Sequence, residues 1–150
     1  MSITASGLYG LTIEKQFIDT LGLSLESETA VKVLLCTDSE TPDFTADDFR
    51  NDVTANEVSG TGYTAGGATL TSTEITLASG VLTYDAADSS WTTSTISSAM
   101  AAVGYFARGG ADTADELMFL SDFVTAVSTT AGTLLVQWSA SGIFTVDYTP

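Results

Sequence analysis

The chain has 150 residues, 19 of them Asp or Glu against four Lys or Arg and no histidine, for a net charge of −15. Four scattered cations, Lys15, Lys32, Arg50 and Arg108, build no surface that neutralises phosphates, so nucleic-acid binding is excluded, and an anionic membrane surface is disfavoured for the same reason. With 44% hydrophobic and 9% aromatic residues there is enough apolar surface to offset chain entropy, so one folded domain over 1–150 is expected without disulfide or metal.

The first element is a helix over about 8–21. Tyr9, Ile13, Phe17 and Leu21 recur every four residues, Glu14, Lys15 and Asp19 fall opposite, and Gly22 is placed to stop it. Such a helix packs either on its own domain or on a neighbouring subunit. A β-rich body over about 30–148 follows. Residues 30–36 read as a strand with Val31, Val33 and Leu35 on one face and Lys32 breaking the other. Cys36 lies in this run and is expected to be a buried, inert thiol.

After Pro42, Thr45 and Asp48 have the spacing of a capping box over a short helical turn. Asp38, Glu40, Asp43, Asp47, Asp48 and Asp52 crowd this segment. A solvated acidic face is the expectation; calcium binding is the alternative, although the spacing of an EF-hand loop is absent. Glycine at four of the nine positions 59–67 marks an irregular loop.

From there short runs rich in Thr, Val, Ile and aromatics alternate with turns: 68–77, 81–84, 91–96, 99–106, 116–123, 133–138 and 143–148. This pattern predicts a mainly β chain, a single-domain antiparallel β-sandwich or barrel-like fold with an N-terminal α-helix. The run at 99–106 is ambiguous, because Ala99-Met100-Ala101-Ala102 is also good helix sequence. Residues 78–85 and 140–147 share Ala-Ser-Gly, two apolar residues, Thr, an apolar residue and Asp. The echo marks either a duplicated hairpin or one turn solution found twice.

The chemistry-bearing residues argue against an enzyme. Without histidine the commonest general base and metal ligand is missing, and one cysteine cannot make a structural zinc site. Abundant serines lack an activating base. A catalytic carboxylate pair needs a cleft where burial raises one pKa, and the acidic cluster lies in the most polar part of the chain, where none is expected. The Gly-rich loop carries neither nucleotide fingerprint. The expectation is no catalytic, cofactor-binding or metal residue. No stretch reaches the ~20 apolar residues of a membrane helix, and the N-terminus lacks a basic region with an apolar core, so synthesis and assembly in a cytoplasm are expected.

Val31–Thr37, Thr41-Pro42-Asp43, Asp48–Thr54 and, above all, Asn56-Glu-Val-Ser-Gly-Thr-Gly-Tyr-Thr-Ala-Gly-Gly67 resemble a family of small virion structural proteins of tailed bacteriophages, similar to capsid decoration or cement proteins. Thr83–Ala86, Trp91–Ile96 and Gln137–Ile143 continue the match over most of the chain. The resemblance implies a non-enzymatic particle component, with the major capsid protein or other virion proteins as partner. It also implies a place on the outer capsid surface and a homo-oligomer, with a trimer as the expectation. Ile3, Leu8 and Tyr63 are the candidate subunit contacts. A tail or neck component is the alternative, and a carbohydrate-binding module with exposed Trp91 or Tyr105 is a third reading.

Overall fold

A computed structural model describes residues 3–17, 22, 24–26 and 30–147. The chain is mainly β, as its periodicity predicts, with three antiparallel sheets in a sandwich-like arrangement and one short α-helix near the N-terminus. In chain order the elements are β1 (Gly7–Leu8), α1 (Gly10–Phe17), β2 (Val31–Thr37), β3 (Gly60–Thr61), β4 (Ala68–Thr69), β5 (Glu74–Ala78), β6 (Val81–Asp85), β7 (Ser89–Ile96), β8 (Ala99–Phe106), β9 (Glu116–Val127), β10 (Gly132–Val136) and β11 (Phe144–Asp147). The central sheet has the order β1-β9-β8-β2-β4, and the two small sheets are β10-β7-β3 and β11-β6-β5.

The central sheet is covered on both faces, which explains the unbroken apolar run of β2. Val31, Val33 and Leu35 join one core with Leu70, Tyr84, Trp91, Ile96, Leu134 and Val136 of the small sheets and their connections. Leu34 and Cys36 point the other way, into a second core closed by Ile3, Tyr9, Val53 and Phe44. Apolar area buried on each side supplies the main driving force for the fold.

The ambiguous run at 99–106 is the middle strand, β8, hydrogen-bonded to β2 and β9 on its two sides. Helix propensity loses there to burial on both faces. The small residues make room for rings: a Cβ at Gly104 would lie 2.1 Å from Cε1 of Phe119.

Three irregularities re-aim side chains. Thr93 has φ +52° and is an extra residue in β7, so burial alternates at Ser89 and Trp91 and then resumes at Ser94 and Ile96. In β9, Met118 is extra opposite the Gly104–Tyr105 step. Further on, Ala101 pairs with Asp122 but Ala99 pairs with Val127, which leaves Phe123–Ala126 bulged outward.

Some expectations are corrected. The helix begins at Gly10, not Leu8, because Gly7 and Leu8 pair with Leu120 and Phe119 of β9, and the Tyr9 N–H donates to Met118 O at 3.0 Å. Its far end, 18–21, lies outside the described residues, as does 148 of the last strand; Gly22 has left-handed backbone (φ +59°). The helix is fastened to its own chain by a Thr12 hydroxyl bond to Leu117 O and by a Lys15–Asp48 ion pair at 2.7 Å. The run at 68–77 is two strands, β4 and β5. The turn after Pro42 is capped by Asp43, not Thr45: Asp43 Oδ1 accepts the Thr45 and Ala46 N–H groups, and Asp47 Oδ2 accepts the Asp43 N–H at 2.7 Å. Asp43 wins because it precedes the turn, where its side chain reaches the free donors.

The two echoed segments turn out to be neighbours. β6 and β11 pair antiparallel, with Thr83 opposite Thr145 at the centre and Tyr84 opposite Phe144. Their Ala-Ser-Gly turns differ, since Ser79 and Gly80 both have positive φ in the β5–β6 hairpin, whereas only Gly142 does in the second.

Candidate interaction surface

The Gly-rich string folds down onto the edge of the sandwich instead of projecting from it. Tyr63 stacks on Trp91 with ring centroids 5.9 Å apart. Its hydroxyl donates to Glu57 Oε1 at 2.6 Å and accepts the Leu35 N–H at 3.0 Å. The same Glu57 oxygen accepts the Gly66 N–H at 2.7 Å, and the Tyr105 hydroxyl donates to Gly66 O at 2.7 Å. Burial, then the bond to Glu57, pushes the Tyr63 phenol far above its ordinary value. At Gly67 (φ +70°) a Cβ would sit 1.9 Å from Val33 O, so the loop's approach to β2 requires glycine.

Most of the acidic segment holds backbone. Asp38 accepts the Ile3 N–H at 3.1 Å, and Asp52 accepts the Asp48 and Phe49 N–H groups, both at 3.1 Å. The Thr45 hydroxyl and amide hold the Asp43 carboxyl below its usual range. Burial raises Asp47. Glu40 departs from the expected solvated face: it is 3% exposed, accepts Asn56 Nδ2 at 3.0 Å, and burial raises its pKa. Asp115 and Glu116, also buried, take Arg50 Nε at 2.9 Å and the Arg108 guanidinium at 2.9–3.1 Å. Burial likewise pushes the Cys36 thiol up, beyond the range of a reactive thiolate.

Among the described residues no group of three or more Cys, Asp and Glu side chains is arranged to hold a metal ion. A groove of about 470 Å³ between α1, residues 24–26, β5 and β9 is lined by Ile13, Leu25, Ile75, Met118 and Phe144, and by Glu26, whose carboxylate accepts the Ile75 N–H at 3.1 Å.

Of the predicted contact residues, Ile3 is buried in the second core, Leu8 packs half-buried on the first, and Tyr63 closes the loop just described. They are not brought together, and each is engaged by its own chain. Trp91 and Tyr105, the rings that a carbohydrate groove would expose, are 5% and 2% exposed. Among the described residues, the large apolar side chains that do face solvent are Leu77, Val124, Val127 and Leu135. Sequence periodicity missed them, because three lie in or beside the irregular part of β9 and on β10.

No family model, curated protein or solved structure matches the chain.

Proposed function

We propose that this chain is a non-enzymatic structural protein of a tailed-phage particle, a capsid decoration protein that binds the shell of major capsid protein from outside and stabilises it. The family reading rests on the resemblance of residues 31–67 and the later segments. The observation that carries the surface role is the uneven distribution of charge. Seven carboxylates between Asp38 and Glu57 lie in the segment covering one face of the central sheet; of the two small sheets on the other face, β11-β6-β5 carries Glu74, Asp85 and Asp147, and β10-β7-β3 carries no charged residue. A rigid plate of this kind suits a position between a protein lattice and solvent. Its acidic side discourages non-specific adhesion, and its uncharged sheet can be desolvated cheaply against a neighbouring subunit.

Quantitative mass spectrometry of purified virions tests the reading. A decoration protein is present in hundreds of copies per particle, and a stoichiometry near six or twelve would replace the capsid assignment with a neck or tail ring.

A further inference from the structure

We propose that the outer face of β10-β7-β3, with the bulged end of β9 beside it, is the surface through which copies of this chain meet one another. The proposal rests on the reading above only in taking the working protein to be a homo-oligomer.

Three independent observations converge on this face. First, residues 89–107 and 123–146 contain no charged side chain, in a chain of net charge −15. They supply all of β7 and β10, two of the three strands of this sheet, together with the β7–β8 and β9–β10 turns. Two copies meeting elsewhere would bring carboxylates against carboxylates, a juxtaposition that costs several-fold to many-fold in affinity. On this face a basic partner would find only Asp122 and Asp88 at the margin to pair with, and a second copy meets fewer carboxylates than over the acidic segment.

Second, three of the large exposed apolar residues lie here. Val124 is 79% exposed, Leu135 50% and Val127 41%. Val127 and Leu135 line one groove of about 310 Å³ with Phe123 and Trp138. Asp122 also lines that groove, with its Oδ1 on the Val124 N–H at 2.7 Å, and Asp88 accepts the Trp138 N–H at 3.0 Å.

Third, the chain spends backbone strain to present Val124. This β-branched residue has φ +65°, a conformation that such side chains avoid, yet its side chain faces solvent. The surrounding tip is fixed in place. The Thr129 hydroxyl accepts the Ile96 N–H at 3.1 Å, the Thr129 N–H returns to Ile96 O at 2.8 Å, the Ser98 N–H bonds Ser128 Oγ at 2.9 Å, and the Ala131 N–H bonds Thr95 Oγ1 at 3.1 Å. A preformed, short-side-chain surface loses little entropy on association.

Sedimentation velocity of the isolated full chain across the micromolar range tests this. The wild type is expected to associate, and Leu135→Glu and Val127→Glu are each expected to weaken association by about 100-fold. Leu77→Glu, on the other small sheet, is expected to leave it unchanged. Thermal unfolding of each variant confirms folding, and Val127→Glu decides the matter where Leu135→Glu fails to fold. A wild type that stays monomeric overturns the proposal, as does a loss of association with Leu77→Glu equal to that with Leu135→Glu. If the wild type is monomeric but Leu135→Glu no longer binds virions stripped of this protein, the face meets the shell instead: self-association falls and the decoration reading stands. An association-competent protein found at six copies per virion gives the opposite split.

Discussion

The Tyr63 hydroxyl joins three separate segments, donating to Glu57 at 2.6 Å while receiving the Leu35 N–H of β2 at 3.0 Å. Tyr63→Phe keeps the ring on Trp91 but leaves the β2 amide and the Glu57 oxygen short of a partner. Loss of stability of about 1–3 kcal/mol is expected, because a donor left unsatisfied in the interior costs its desolvation. Urea unfolding of the two proteins, compared at equal m-value, measures it. A loss below a few tenths of a kcal/mol would mean that water replaces the hydroxyl and the loop is not held through it.

Gly104→Ala forces a methyl group into the ring of Phe119, which lies 2.1 Å from the position the Cβ would take. Overpacking of this kind costs about 1–3 kcal/mol. Phe119 also contacts Tyr84, Phe144 and Trp138 with ring centroids 5.9–6.4 Å apart, so it cannot retreat freely. Phe119→Leu is therefore expected to cost less in the Gly104→Ala background than in the wild type. A double-mutant cycle by thermal unfolding reads the coupling, and additive losses would show that the two positions do not meet.

Where sequence periodicity spoke it was specific, and where it failed the cause is local. Val31, Val33 and Leu35 were legible as one face because β2 is regular, and Cys36 as a buried thiol from its apolar run; the burial of Leu34 behind it needed a second layer that no short window contains. Ala99–Ala102 was ambiguous because small residues serve helices and crowded middle strands alike. Thr93 and the 123–126 bulge were illegible, since a bulge shifts the period without leaving a turn residue behind. Glu40 resembled its solvated neighbours until Asn56, sixteen positions on, was seen to cover it. The site fared similarly. Tyr63 stood out in the string 56–67, but its partner is Glu57 of its own chain. The uncharged runs that mark the neutral sheet were present in the sequence and became a surface only once β7 and β10 were seen to pair.

Arg50 links the acidic segment to the end of β9. Its Nε donates to Asp115 at 2.9 Å, its N–H donates to Asp115 O at 2.8 Å, and its guanidinium lies 5.3 Å from the Tyr105 ring. Arg50→Met retains the stem but leaves the buried Asp115 carboxylate with the Arg108 N–H alone among these donors. A loss of about 1.5–3 kcal/mol is expected, the range for a hydrogen bond to a buried charged group. Arg50→Lys keeps the charge without the directed Nε–H and is expected to recover only part of it. Equal stability of wild type and Arg50→Met in urea would remove the link.

Glu40 sets a pH dependence whose sign follows from its burial. Its pKa is raised in the folded protein, first by desolvation, with Asp47 and Asp52 adding to the effect and the Asn56 and Thr41 bonds opposing it. The folded chain therefore keeps this proton to a higher pH than the unfolded chain, whose Glu titrates near about 4.3. Below that value both states are protonated, and the contribution of Glu40 to stability is fully present. As pH rises through the folded-state value the buried carboxylate must ionise, and that contribution is lost. Glu40→Gln has no proton to lose. Its stability relative to wild type is thus expected to improve as pH rises from about 4 through the folded-state value and to level off above it, whatever the offset between the two at low pH. Because Asp43 and Asp47 titrate in both proteins, the difference between the two curves isolates position 40. Urea unfolding of both at matched pH values gives that difference; a flat line would show that Glu40 ionises in the folded protein as freely as in the unfolded chain.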